Sequence, residues 1–352
     1  MPWLMWNPCG DPLASERSLQ IDAIRGLAVL LMVMVHAAAD WQPVDVAEAG
    51  VLGTLVAGLG GLAAPLFVTL AGWGMARSRW TLRKGLVRCA SLCIAQVLVN
   101  LAASHRFDPF SPGVLTLLGC LAITSPVWLR VSRAVGWRVG LMLLGMIALA
   151  PMMLGDLSGP ASWDARITTS DAQAFVQHVL LTGTYPLLPW AGFAILGAGI
   201  ADRVIEGRWW HLLLISGGLA VCTGALVVAM QRGAVFAAPI GPAMLEFFPP
   251  NSMFLIAAAT GVGILWIAIS HLPPTRLLTV TGRYSLTIYL LHFLVLGWFH
   301  DVDDGGWTLA QSLPTVLAFT MLWVPVAWLH DRLAPTNSIE AWIQRLGATA
   351  EE

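Results

Sequence analysis

The chain has 352 residues, 57% of them hydrophobic and only 11% charged, against about 25% charged in a soluble globular domain. A soluble fold of that size could not solvate its own surface, and the mean hydropathy of +0.73 places the chain in a lipid bilayer. A formal net charge of -1 removes the electrostatic basis for a nucleic-acid partner.

Residues 1–20 carry Asp11, Glu16 and Arg17 and no apolar run ending in a small-residue cleavage site, so they read as a cytoplasmic segment without a removable signal. Apolar stretches of about 20 residues, enough to cross a hydrocarbon core, then fall at 21–39, 51–76, 87–103, 113–129, 139–155, 185–201, 211–230, 252–271, 285–300 and 308–330. The expectation is an all-α integral membrane protein: a bundle of about ten transmembrane helices over 21–330, with a cytoplasmic tail at 331–352. Segment 173–184 reads as an interfacial or re-entrant helix, and Tyr185-Pro186-Leu187-Leu188-Pro189 would break any helix running through it. Eleven helices result if that segment crosses fully.

Charge orients the bundle. With a cytoplasmic N terminus and ten helices, only Arg106, Arg166 and Arg232 of the nineteen lysines and arginines fall outside, the bias expected of short cytoplasmic loops. Both termini are therefore expected in the cytoplasm, and short loops without targeting features point to a bacterial inner membrane. The five cysteines, Cys9, Cys89, Cys93, Cys120 and Cys222, form no paired framework and read as packing residues.

Polar groups at membrane depth cost roughly 2.5–3.5 kcal/mol each, so each is a candidate for function. The first helix holds Asp22, Arg25, His36 and Asp40. Arg25 and His36 lie about 16 Å apart along the axis, at opposite ends of the span. Asp22 and Arg25 can pair at i, i+3, as an interfacial anchor or as part of a site; His36 and Asp40 share a face at i, i+4. A carboxylate beside an imidazole fixes its tautomer and suits it to act as a general base. The ninth helix carries Ser285, Tyr289 and His292 at i, i+4, i+7 behind Arg283, a polar stripe that serves either a reaction chamber or interhelical hydrogen bonding. Gln96 and Asn100 read as interhelical glue. His105, His211, His271, His300 and His330 fall near helix ends, and no compact ligand spacing predicts a metal. The turn from Arg77 to Arg88 is the densest basic patch; it enforces topology or holds the phosphates of a nucleotide-like donor.

The stretch from Ser18 to His36, with Asp22, Arg25-Gly26 and the terminal His36, resembles the opening of the heparan-α-glucosaminide N-acetyltransferase-like membrane proteins. It is also similar to the broader acyltransferase-3 group. Ala64 to Gly72, Tyr185 to Gly192, Phe247 to Ser252 and Gly282 to His292 continue the resemblance in order along the chain. It implies a transmembrane acyltransferase that takes an acetyl or other acyl group from cytoplasmic acyl-CoA. The group goes to a hydroxyl or amine acceptor, often a sugar, at or across the membrane. The heparan-specific members carry a Lys-His-Ala-like stretch after the first helix; none lies between Trp41 and Gly50, so the heparan substrate is not carried over.

On this reading His36 is the base and Asp40 orients it. Arg25 and Arg283 bind the phosphates of acetyl-CoA or another acyl-CoA, and Asp22, Ser285, Tyr289 and His292 line the chamber. No metal is needed, the partners are donor, acceptor and bilayer, and a homo-oligomer is open. Two alternatives remain: a transporter or flippase of a glycan or lipid precursor that makes no bonds, and an inactive protein of the same shape.

Overall fold

The computed structural model describes residues 19–45, 50–135, 150–202, 208–303 and 305–348. The chain enters at α1 (Leu19–Asp40), returns through α2 (Gly50–Gly61) and α3 (Ala63–Arg77), and climbs α4 (Leu82–Ala102) before α5 (Val114–Val135). The short helices α6 (Trp163–Ile167) and α7 (Ala172–Gln177) lead through a π turn at His178–Thr182 into α8 (Leu187–Ala201). After α9 (Arg208–Arg232) come two paired two-residue strands, Ala237–Ala238 and Leu245–Glu246. The chain then forms α10 (Ser252–His271), α11 (Arg276–Arg283), α12 (Ser285–His300), α13 (Leu309–Leu333) and α14 (Ile339–Ala348).

Among the described residues, seven helices are long and apolar enough to cross a membrane, and an eighth span results if α7 with its π turn and α8 count as one bent element. The count of ten or eleven is thus not established. Most of the expected span at 139–155 falls outside the described residues, and α12, at 16 residues, is shorter than those seven spans. The bend does fall where the two prolines were expected to break the chain: the two arms, Ala172–Thr182 and Leu187–Ala201, meet at 50°.

Helix α1 is the hub. It is apolar around nearly its whole circumference, the pattern of a helix enclosed by protein, and it packs against α2, α3, α10, α11, α12 and α13. Its buried residues run from Ile21 to Ala37 and include Asp22. Two close crossings hold the bundle. Gly72 of α3 faces the carbonyl of Ala194 on α8, and Gly197 of α8 faces that of Thr69 on α3. In the same way Gly26 of α1 meets Leu278 and Gly282 of α11, while Gly282 meets the Asp22 carbonyl. A side chain at any of these glycines would strike backbone, so the small residue is what lets the helices touch, the usual packing device where lipid supplies no hydrophobic drive.

The bundle therefore has two ends. One carries Asp40, His105 and His300 and is here the histidine end; the other carries Arg25, Arg79, Arg88 and Arg283 and is the arginine end. A layer of short helices and loops covers the histidine end. In it, Thr184 donates to the Pro112 carbonyl, Trp163 donates to the Arg106 carbonyl, and His178 bonds both Thr182 and the Thr168 carbonyl.

Candidate functional site

Helices α1 and α11 meet at the Gly26–Gly282 crossing; α1 carries His36 toward the histidine end, and α12, which follows α11, carries His292. His36 Nδ1 lies 2.9 Å from His292 Nε2. The ring planes are within 6° and the centroids 5.2 Å apart, the disposition of two imidazoles joined edge to edge through one N–H···N bond. His292 is fully buried, whereas His36 is only partly so.

The tautomers follow from the acceptors. His292 Nδ1 lies 3.1 Å from the Ile288 carbonyl, which can only accept, so in the uncharged ring Nδ1 carries the proton and Nε2 is bare. Bare Nε2 must accept from His36, so His36 carries its proton on Nδ1, and His36 Nε2 is left with a free lone pair. A backbone carbonyl thus sets, through two rings, which nitrogen of His36 can take a proton. Aromatic side chains surround the pair: Phe293 lies 4.6 Å from the His36 ring and Tyr289 stands edge-on to His292 at 5.7 Å. Further contacts run from Phe293 through Phe107 and Trp163 to Phe248 and Tyr185.

The contacts of Asp40 are with residues other than His36. Its carboxylate accepts from Arg106 Nε at 2.6 Å and lies 3.5 Å from His105 Nε2. The i, i+4 spacing does put the two side chains on one face, but a full guanidinium charge draws the carboxylate more strongly than an uncharged imidazole can. His36 turns instead to α12. His105 stacks on His300 with centroids 3.8 Å apart. Burial holds the His105 imidazole below its ordinary value, with Asp40 opposing and His300 and Arg106 adding to the lowering.

At the arginine end Asp22 and Arg25 pair at 2.9 Å. Arg283 lies 3.6 Å from Asp331, whose carboxylate also accepts from the Tyr284 hydroxyl at 2.9 Å. Both arginines expected to bind the donor thus have a carboxylate beside them. Of the chamber stripe, Tyr289 and His292 adjoin, and Ser285 is buried about 10 Å further toward the arginine end. Gln96 and Asn100 bond each other at 2.9 Å and fasten the loop after α4, Asn100 through the carbonyls of Pro109 and Ser111.

Three supporting residues escaped the sequence reading. Glu340 of α14 accepts from the Leu286 and Thr287 amides at 2.7 and 3.1 Å and from the Thr287 hydroxyl at 2.6 Å. It closes the start of α12, where amide protons lack helical partners. Arg106 captures Asp40. Arg166, fully buried, spreads its guanidinium over the carbonyls of Ser158, Gly159, Thr182 and Gly183. Burial brings Arg166 down to about 10, with the Glu246 carboxylate opposing, while burial pushes Glu246 up. The signal for two of these was present: Arg106 and Arg166 are exceptions to the positive-inside bias. Among the described residues, no group of three or more His, Cys, Asp or Glu gathers to hold a metal.

No curated protein matches the chain. A sequence profile described as heparan-alpha-glucosaminide N-acetyltransferase, catalytic, matches residues 17–228. The match takes in α1 and most of the chain through α9, including His36, Asp40 and Arg106, but stops short of His292, and with it of the resembling stretches at Phe247 and Gly282. On a match over more than half its length, the chain belongs to the heparan-alpha-glucosaminide N-acetyltransferase catalytic family of membrane acetyltransferases.

Proposed function

We propose that this protein transfers an acetyl or other acyl group from acyl-CoA, bound from the cytoplasm, to a hydroxyl or amine of a sugar-type acceptor at the far side of the membrane. The observation that carries this reading is the His36–His292 bond, which leaves His36 Nε2 unprotonated and partly accessible beside a buried partner. A base so held is suited to a proton that leaves as a bond forms.

In the reaction His36 Nε2 accepts the acceptor's O–H or N–H proton while the freed oxygen or nitrogen attacks the thioester carbonyl. The carbon–sulfur bond breaks, and the departing thiolate recovers the proton from His36. The products are the acylated acceptor and free CoA. Throughout, His292 keeps His36 in one tautomer and one orientation, and the imidazolium formed in transit donates to His292 Nε2. Tyr289 and the aromatic side chains around the pair exclude water that would otherwise hydrolyse the thioester. Arg25 and Arg283 add positive charge where the donor's phosphates arrive. With cytoplasmic termini the arginine end faces the cytoplasm and the histidine end the opposite compartment.

The test is labelled acetyl-CoA with purified protein and a panel of amino and neutral sugars. His36→Ala is expected to lose about 10²- to 10⁴-fold in transfer; undiminished transfer by that variant overturns the assignment.

A further inference from the structure

The turn between α3 and α4 closes on a cavity of about 250 Å³ at the arginine end, lined by Ser78, Arg79, Trp80, Lys84, Arg88 and Ser125 among others. Three cations, two hydroxyls and an indole meet there, and among the described residues none of those lining it is acidic. Arg25 and Arg283, which line no part of it, each have a carboxylate alongside.

Its far wall is made by a helix defect. Pro126 lies inside α5 and cannot donate to the carbonyl of Ala122 four residues back. That carbonyl instead accepts from Trp80 Nε1 at 3.2 Å and from the Ser125 hydroxyl at 2.9 Å. The indole is thereby pinned across the turn and seated over Gly85, where a Cβ would lie 3.0 Å from its nitrogen. The sequence therefore fixes the aromatic wall before any ligand arrives.

The cavity also lies at a telling depth. The Ala102 carbonyl abuts Gly297, which sets α4 and α12 in register. Descending α4 from Ala102 to Arg88 covers about 21 Å, and descending α12 from Gly297 to His292 about 7.5 Å. Arg88 thus lies about 13 Å, and Lys84 about 20 Å, toward the arginine end from His292. That interval brackets the roughly 16 Å between Arg25 and His36 and suits an extended pantetheine arm.

Resting on the acyl-transfer reading, we infer that this cavity, rather than Arg25 and Arg283, is the principal seat of the donor's phosphorylated adenosine end. Arg79 and Arg88 meet its phosphates as charge-assisted hydrogen-bond donors, and Trp80 offers the adenine a face. An anionic lipid headgroup presents the same phosphate chemistry, so the test separates the two.

Purified protein in zwitterionic nanodiscs is titrated with CoA and with 3′-dephospho-CoA, and the KM for acetyl-CoA is measured, for the parent, Arg79→Gln, Arg88→Gln and Arg88→Lys. The parent is expected to prefer CoA by about tenfold. Each glutamine variant is expected to raise KM several-fold and erase that preference, with Arg88→Lys retaining part of it. Equal affinity of the parent for the two ligands overturns the inference whatever the variants do. So does an unchanged KM in both glutamine variants. A defect that emerges only in phosphatidylglycerol nanodiscs assigns the cavity to lipid and overturns it as well. Parent protein that neither binds CoA nor transfers acetyl overturns the acyl-transfer reading itself, a different result from any of these.

Discussion

Arg106 takes the Asp40 carboxylate at 2.6 Å, one helical turn beyond His36, and so leaves His36 to pair with another histidine. The sequence offers an Asp–His couple within one helix; the structure replaces it with a His–His couple between two. The couples predict opposite rankings. Asp40→Asn should keep most of its turnover, whereas His292→Phe, which removes the acceptor for His36 Nδ1, should lose about 10²- to 10⁴-fold. Steady-state rates of the two variants decide between them; a larger loss in Asp40→Asn returns the orienting role to Asp40.

Asp40→Asn should be felt in stability instead. It leaves Arg106 facing a neutral amide in a part-buried pocket, at a cost of about 1–3 kcal/mol. The thermal midpoint of the detergent-solubilised variant should fall, and the fall should be smaller in a double variant that also carries Arg106→Gln.

Glu340 makes a second prediction far from the histidines. Its three hydrogen bonds to the start of α12 make α14 a clamp on the helix that carries His292. Glu340→Ala should destabilise by about 1–3 kcal/mol and lower turnover by loosening His292. Glu340→Gln, which keeps an acceptor oxygen, should recover part of both. Hydrogen exchange at Leu286 and Thr287 would report the same loss directly.

Arg166→Lys should behave as a severe change despite its charge. A guanidinium reaches four carbonyls at once from a planar fork, whereas an ammonium has three donors at a point. Proteolysis of the 155–185 layer should accelerate in the lysine variant, and unaltered proteolysis would remove Arg166 as its anchor.

The histidine end should also respond to acid. Burial holds His105 below its ordinary value in the fold, so the unfolded chain takes the proton first as pH drops. Folding stability is then fully present above the ordinary histidine value of about 6.5 and declines below it. Around this ring stand Asp40, which favours the proton, and Arg106 and His300, which oppose it. Melting temperatures at pH 7.5 and 5.5 should differ less in His105→Gln than in the parent.

Much of the fold is legible because membrane burial simplifies the code. A run of about 20 apolar residues has few alternatives to a helix in lipid, and predicted spans such as 21–39 and 252–271 coincide with α1 and α10. Local pairs are legible too: Asp22–Arg25 and Gln96–Asn100 form as their spacing suggests. The site is less so, because its decisive contact joins residues 256 apart in sequence. Periodicity along one helix names His36 and His292 separately but carries no information about which face meets which. The partner of Asp40 is equally invisible from its own helix, since Arg106 lies 66 residues on, beyond three further helices. The span expected from Ser285 does begin there as α12, directly after Tyr284 ends α11. Its distant partners, Asp331 on the Tyr284 hydroxyl and Glu340 on the first amides, are not announced by anything nearby in sequence.

The crossing of Gly26 with Gly282 acts as the zero mark of a caliper whose jaws are the two imidazoles. His36 stands ten residues past the first glycine along α1, and His292 ten past the second, across the Tyr284 junction and into α12, and both rings come to one height. Inserting a single residue in either jaw would lift one ring by about 1.5 Å and swing it by about 100°, parting the bond without altering any residue that forms it. Between these marks the protein should therefore accept substitutions far more readily than changes of length.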